Sequence, residues 1–207
     1  MLTGDIRDVV NREFIWEDKQ MPQLKIMIAS TRPGRVGPTV AQWFYEYAVK
    51  HGGFDVELVD LAEADLPLLD EAEHPRLKKY EHEHTKAWSR KIDSADAFVF
   101  VTPEYNFGSP PALVNALNYL YSEWNYKPAG FVSYGGISGG LRSVQMTKSI
   151  LTTLKVVPLV EAVAIPFFTQ FIDEGVFRAQ EIHERSAAGM LDELLRWSNA
   201  LAPMRAG

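Results

Sequence analysis

Three short stretches of this chain are rich in residues that bind rather than pack. The first runs Ser30-Thr31-Arg32-Pro33-Gly34-Arg35-Val36-Gly37-Pro38-Thr39. It offers two guanidinium groups and several hydroxyls just where Pro38 can open a helix, since a first-turn proline lacks an N–H that would go unpaired anyway. A helix start carries partial positive charge, so Ser30, Thr31, Arg32, Arg35 and Thr39 have the chemistry of a phosphate site. The Gly-Lys-Ser/Thr ending of a Walker loop and the G-x-G-x-x-G of a dinucleotide turn are both absent. Gly34 and Gly37 alone do not let a backbone wrap a pyrophosphate, whereas guanidinium and hydroxyl groups suit one terminal monophosphate. Taken by itself the stretch also reads as a solvated turn with incidental arginines.

The second stretch is Thr102-Pro103-Glu104-Tyr105-Asn106-Phe107-Gly108-Ser109. Its amides, with Glu104 and Asn106, can address the rim of a planar heterocycle that Tyr105 borders, and Gly108 permits close backbone approach. The alternative is an Asn-containing turn with a helix cap. The third, Ser133-Tyr134-Gly135-Gly136-Ile137-Ser138-Gly139-Gly140, can converge its N–H groups on one acceptor, or can simply turn a strand into a helix.

The elements that must position these stretches follow from hydropathy. Leu24 to Ala29 is a short apolar run, as expected of a strand buried on both faces. The helix that follows carries Val40, Phe44, Tyr47 and Ala48 on one side and stops at Gly52-Gly53. Further strands are expected at Phe54 to Val59, Ala97 to Val101, Ala129 to Ser133, and Val156 to Val160 or a nearby run to Ile165. Helices are expected at Arg76 to Ile92, after Ser109-Pro110, at Leu141 to Leu154 and at Ala179 to Leu201. Ser109 reads as the cap of the second of these, which would bear Leu113, Leu117, Leu120 and Tyr121. The alternation implies an α/β protein with a five-stranded parallel sheet covered on both faces. Ligands of such sheets bind beyond the carboxyl ends of the strands, where strand order reverses. All three binding stretches follow strands, and their agreement outweighs any one of them.

At 207 residues the chain fits one domain, and its formal net charge of −6 argues against nucleic acid as a partner. The absence of cysteine excludes disulfides, thiolate metal sites and Cys nucleophiles within it. No apolar run reaches the length of a membrane span, and the first twenty residues lack the apolar core of a signal peptide, so a cytoplasmic protein is expected. Residues 1–22 read as an N-terminal extension with a sticky edge of Val9, Val10, Phe14 and Trp16, although Met21-Pro22 is an alternative start. Residues 23–207 are the domain proper.

Ser-Thr-Arg-Pro-Gly-Arg after the first strand, Pro-Glu-Tyr-Asn after the third and Tyr-Gly-Gly-x-Ser-Gly-Gly after the fourth resemble the NADPH-dependent FMN reductases of the flavodoxin-like fold. Glu123-Trp124 and Lys127-Pro128 also look like that family, and the likeness spans residues 24–165. Ala29 departs from the glycine that many members carry there. The resemblance implies a doubly wound sheet of order 2-1-3-4-5 and FMN as cofactor. It implies a phosphate surrounded by Ser30, Arg32, Arg35, Gly37 and Thr39, and an isoalloxazine along Pro103, Glu104, Tyr105 and Asn106. Tyr134, Gly135, Gly136 and Ser138 would lie along the pyrimidine side.

The implied reaction passes a hydride from NADPH or NADH to flavin N5 and on to a quinone, azo or nitro compound, flavin or oxidised metal ion. No side chain is then catalytic, and the glycine-rich stretch supplies donors near N1 and O2. The family is commonly dimeric or tetrameric, and Tyr119 to Tyr126 and the 61–90 segment are expected at such an interface.

Two rival functions fit parts of the pattern. Gly136-Ile137-Ser138-Gly139-Gly140 matches the G-x-S-x-G of a serine hydrolase, with Asp173 and His183 following in order, although His183 falls in an expected surface helix. A flavodoxin-type electron carrier would share the cofactor but need a protein partner. His82-x-His84, with His74 nearby, is expected to be a solvated helix rather than a metal site, its two histidines on different faces. His51 and the acids from Asp70 to Glu73 are expected at the surface.

Overall fold

The computed structural model describes residues 21–205. Five parallel strands form one sheet in the order β2-β1-β3-β4-β5. They are β1 (Gln23–Ile28), β2 (Asp55–Asp60), β3 (Ala97–Pro103), β4 (Pro128–Tyr134) and β5 (Val157–Ile165). The helices are α1 (Gly37–His51), a single turn α2 (Leu61–Ala64), α3 (Glu83–Asp93), α4 (Pro111–Asn118), α5 (Leu141–Thr153) and α6 (Glu181–Arg205). A two-stranded ribbon, β6 (Ile172–Asp173) and β7 (Val176–Phe177), precedes α6; no hydropathy pattern announced it. Residues 1–20, which include most of the expected extension, lie outside the described residues.

All seven residues of β3 and all seven of β4 are buried, which is why these strands read as continuous apolar runs. Their side chains nonetheless alternate between two cores. Val99 and Val101 meet α1 and α6 through Phe44, Ala48, Met190 and Leu194, whereas Phe98 and Phe100 meet Trp88, Leu117 and Trp124 on the other face. Strand β2, at one edge, is less covered: Asp55 is exposed, Val56 and Leu58 are half-buried against one core, and Val59 is buried in the other. At the other edge β5 runs the longer of its two expected courses; a register shift between Ala129 and Phe131 leaves Val160 87% exposed.

Several expectations need correction. The helix expected from Arg76 starts only at Glu83, because Glu71 accepts the N–H groups of Glu81 and His82 and draws that backbone into a loop. His82 is therefore the residue before the helix, and its ring stacks on that of His84 at 5.1 Å, both turned toward Asp70. The expectation that they face apart assumed a helical period that begins one residue later. No group of three metal-ligating side chains occurs among the described residues. Ser109 does not cap α4; Pro110 stands in that position, and the Ser109 hydroxyl instead meets Thr147 Oγ1 at 2.6 Å and Ser143 O at 3.0 Å. Helix α4 ends before Leu120 and Tyr121. No helix among the described residues is long and apolar enough to cross a membrane.

His183 also corrects its expectation, being buried between Trp43, Phe171 and Phe177 at the start of α6. Its Nδ1 accepts the Gln180 N–H at 3.1 Å, so the ring proton belongs on Nε2. Burial holds its pKa below the ordinary histidine value. The folded state then binds fewer protons than the unfolded state in mild acid, so the contribution of a neutral His183 is lost as pH falls below the unfolded value. Melting curves from pH 7.5 to 5 should show His183→Gln losing less stability than the parent, by roughly 2–4 °C for each kcal/mol involved. Parallel curves would discard this role.

Candidate functional site

The loops after β1, β3 and β4 lie together beyond the carboxyl ends of these three interior strands, and side chains join them. Ser30 Oγ and Tyr105 Oη are 2.6 Å apart, connecting the first loop to the second. Glu104 connects the second to the third: its Oε2 accepts from Ser138 Oγ at 2.9 Å and from the Arg142 N–H at 3.1 Å, and its Oε1 from Arg142 Nη1 at 3.0 Å. Tyr134 reaches back under the first loop, so close that a Cβ on Gly37 would stand 2.9 Å from its Oη. Burial raises the pKa of that phenol, so it remains a neutral wall.

Helix α1 begins as an anion site should. No side chain caps it, no acid lies in its first turn, and the N–H groups of Gly37 and Thr39 have no intrachain acceptor among the described residues. Arg32 is exposed, and together with Glu104, Tyr105, Asn106, Ser109 and Pro111 it lines a cleft of about 600 Å³. In the third loop the N–H groups of Gly136, Ile137 and Ser138 are likewise open, whereas that of Gly135 is taken by Ile165 O. Unpaired donors on the first and third loops, with the cleft that the first and second loops line, have the chemistry for a phosphate monoester joined to a carbonyl-bearing ring.

Not every expected residue faces that cleft freely. The Arg35 guanidinium is bidentate on Asp60, at 2.5 and 2.6 Å, and also donates to Ser30 O at 2.7 Å. Hydrogen bonding to Asp60 raises its pKa further. Arg35 thus braces the first loop against the end of β2. Thr39 Oγ1 accepts the Phe177 N–H at 2.8 Å, leaving its own hydroxyl proton to donate elsewhere. Pro103 is buried at the end of β3, and Tyr134 packs edge-on against Phe168.

The second loop contains the sharpest backbone feature. Tyr105 and Gly108 exchange both N–H···O bonds across a two-residue turn whose central residues, Asn106 and Phe107, have φ of +47° and +67°. That is the pattern of a type I′ turn, which favours Asn-Gly. Asn106 tolerates it; a phenylalanine in the left-handed region costs about 1–2 kcal/mol. The Arg142 guanidinium lies 3.9 Å over the Phe107 ring.

The hydrolase arrangement is absent. Ser138 pairs with a carboxylate and not with a histidine, and His183 is enclosed among aromatic rings beside α1. Sequence reasoning missed two residues that tie the loops and one exposed ring beside them. Asp60 closes β2 at the carboxyl end of the sheet, Arg142 stands in the first turn after the glycines, and Phe107 lies within the quoted stretch without an assigned role. Position at a strand end was the available signal for Asp60; neither of the others had one.

The model of the NADPH-dependent FMN reductase family matches residues 22–170. An NAD(P)H-dependent FMN reductase of Schizosaccharomyces pombe is 44% identical over 152 residues, covering 72% of this chain and 76% of that protein. The NAD(P)H-dependent FMN reductase LOT6 of Saccharomyces cerevisiae is 32% identical, covering 80% of this chain and 93% of that one. Among solved structures, the flavoenzyme NAD(P)H:(acceptor) oxidoreductase FerB of Paracoccus denitrificans superposes with a TM-score of 0.69 at 20% identity, over 86% of this chain and 98% of its own. The sheet order, the helix start without a cap and the extent of these matches agree: the chain belongs to the NADPH-dependent FMN reductase family.

Proposed function

We propose that this protein, an FMN-dependent NAD(P)H oxidoreductase by family, holds its flavin across the three tied loops and reduces small soluble acceptors. The observation that carries the reading is the joining of Ser30 to Tyr105 and of Glu104 to Ser138 beside an uncapped helix start. In this reading Arg32, the Ser30 and Thr39 hydroxyls and the Gly37 and Thr39 amides hold the phosphate. Arg35 holds Ser30 in place from behind. Pro103, Glu104, Tyr105 and Asn106 border the ring system, and the open amides of Gly136, Ile137 and Ser138 address its pyrimidine side. The chemistry FMN supplies when bound is two-electron transfer from NADPH or NADH to a quinone, azo or nitro compound, free flavin or oxidised metal ion.

The chain's own work is to bind, orient and donate hydrogen bonds. Backbone donors and the Arg32 guanidinium favour added electron density on a ligand without needing a nucleophile or a lysine. We also propose a homodimer or homotetramer in the cytoplasm. Tyr119 and Trp124 are buried in the protomer, which leaves the half-buried Tyr121 and Tyr126 as the aromatic side chains that tract offers a partner. Exposed Leu68, Leu69 and Leu77 make the 61–90 segment the better surface.

The test is direct. Purified protein should be yellow and should oxidise NADPH or NADH with a quinone, with no protein partner added; turnover only with a partner protein would favour the electron carrier. Arg32→Ala should weaken FMN binding about 10- to 100-fold, the worth of a charge-assisted hydrogen bond. Titration of apoprotein with FMN, followed by flavin fluorescence, measures it, and unchanged affinity removes Arg32 from the phosphate site.

A further inference from the structure

We propose that Phe107 determines acceptor specificity, its exposed ring serving as a stacking wall for flat aromatic electron acceptors. The inference rests on the flavin reading above and begins from a residue that folding does not explain. Phe107 occupies the turn position where glycine is unstrained, at φ +67°. Its ring fills no core, being 72% exposed. The ring's one aromatic or cationic contact among the described residues is the Arg142 guanidinium, 3.9 Å over the centroid.

Arg142 is itself held. Nη1 and the backbone N–H both donate to Glu104, whose carboxylate also takes the Ser138 hydroxyl. A fixed planar cation therefore covers one face of the ring, and the exposure belongs to the other face and the edges. The neighbouring Asn106 lines the cleft, and its side-chain amide has no intrachain partner among the described residues. Strain retained in order to display an apolar ring beside a binding cleft points to a ligand.

A cation behind a π-system and an open face in front suit a second flat ring, offset-stacked, with Asn106 in reach of a carbonyl or azo nitrogen. The class favoured is quinones and azo compounds with extended rings, over compact inorganic oxidants. For 1,4-naphthoquinone the balance is NAD(P)H + H⁺ + quinone giving NAD(P)⁺ + hydroquinone, with the second proton taken from solvent. Phe107 contributes binding to this step and no proton.

Phe107→Gly and Phe107→Tyr holoenzymes provide the test, with 1,4-naphthoquinone and ferricyanide as acceptors. In Phe107→Gly the KM for naphthoquinone should rise about tenfold, the worth of one stacking contact. Its KM for ferricyanide and its affinity for FMN should stay within about twofold. The melting temperature should hold or rise, because glycine relieves the turn. Phe107→Tyr should behave as the parent. Loss of stability with both acceptors weakened together would assign Phe107 a structural role and overturn the proposal, as would an unchanged naphthoquinone KM in a glycine variant that binds FMN normally. Failure of the parent protein itself to bind FMN would instead bring down the flavin reading and this inference with it.

Discussion

Asp60→Asn should weaken FMN binding about tenfold, even though the change removes a negative charge from beside the proposed phosphate site. Charge alone predicts the opposite sign: without its carboxylate partner, Arg35 would be released toward the phosphate and affinity would rise. The geometry argues for a brace. Arg35 spans Asp60 and the carbonyl of Ser30, and Asp60 Oδ1 also accepts the Ala62 N–H at 2.9 Å, opening α2. Both partners are largely shielded, with side-chain exposures of 19% and 14%. Asparagine offers one acceptor where two N–H donors converge, and turns an amide donor toward a guanidinium. A bidentate charge-assisted pair of this kind contributes on the order of 2 kcal/mol, part of it to stability and part to holding Ser30 in register. Fluorescence titration with FMN at two salt concentrations, beside melting of the apoprotein, separates the two readings. Tighter binding would make Arg35 a phosphate ligand held in reserve and end its role as a brace.

Gly140→Ala should cost about 3 kcal/mol of stability, combining roughly 1–2 for a left-handed non-glycine residue with an overpacking penalty of similar size. Gly140 has φ +85°, and a Cβ there would lie 3.0 Å from Ser133 Cβ, Tyr134 N and Tyr134 O. Those atoms belong to an interior strand paired on both sides, so they cannot retreat cheaply. In a chain of this size the loss corresponds to a fall in melting temperature of about 6–12 °C. Gly136, four residues earlier, is the contrast, since a Cβ there meets nothing within 4 Å. Gly136→Ala should leave stability within about 0.5 kcal/mol and weaken FMN binding if that loop lies along the ring. Calorimetry and FMN titration on the two variants distinguish a glycine kept for folding from one kept for the ligand. Equal melting temperatures for Gly140→Ala and the parent would contradict the packing argument.

The strands and the three polar loops that follow them were legible because their signals are local. A strand buried on both faces needs only a short apolar run, and Leu24 to Ala29 or Ala97 to Val101 supplies one. Pro38 and Gly52 mark the limits of α1 for reasons that reside in their own backbones. Less legible were elements whose limits depend on distant partners. The carboxylate of Glu71 decides where α3 begins, and no hydropathy period across residues 76–92 contains that information.

The amino-acid sequence by itself therefore determined the alternating α/β architecture and placed polar loops rich in glycine and proline after the first, third and fourth strands. Only the tertiary structure decided what each polar group in those loops does. Arg35 meets Asp60 across 25 residues, Glu104 meets Ser138 across 34, and Ser30 meets Tyr105 across 75. Such partners come within 3 Å only through the strand order β2-β1-β3-β4-β5 and its register, and hydrogen bonds decay over distances far shorter than any periodicity can specify. For the same reason the sequence showed two similar arginines, and the fold made one of them a brace and left the other facing the cleft.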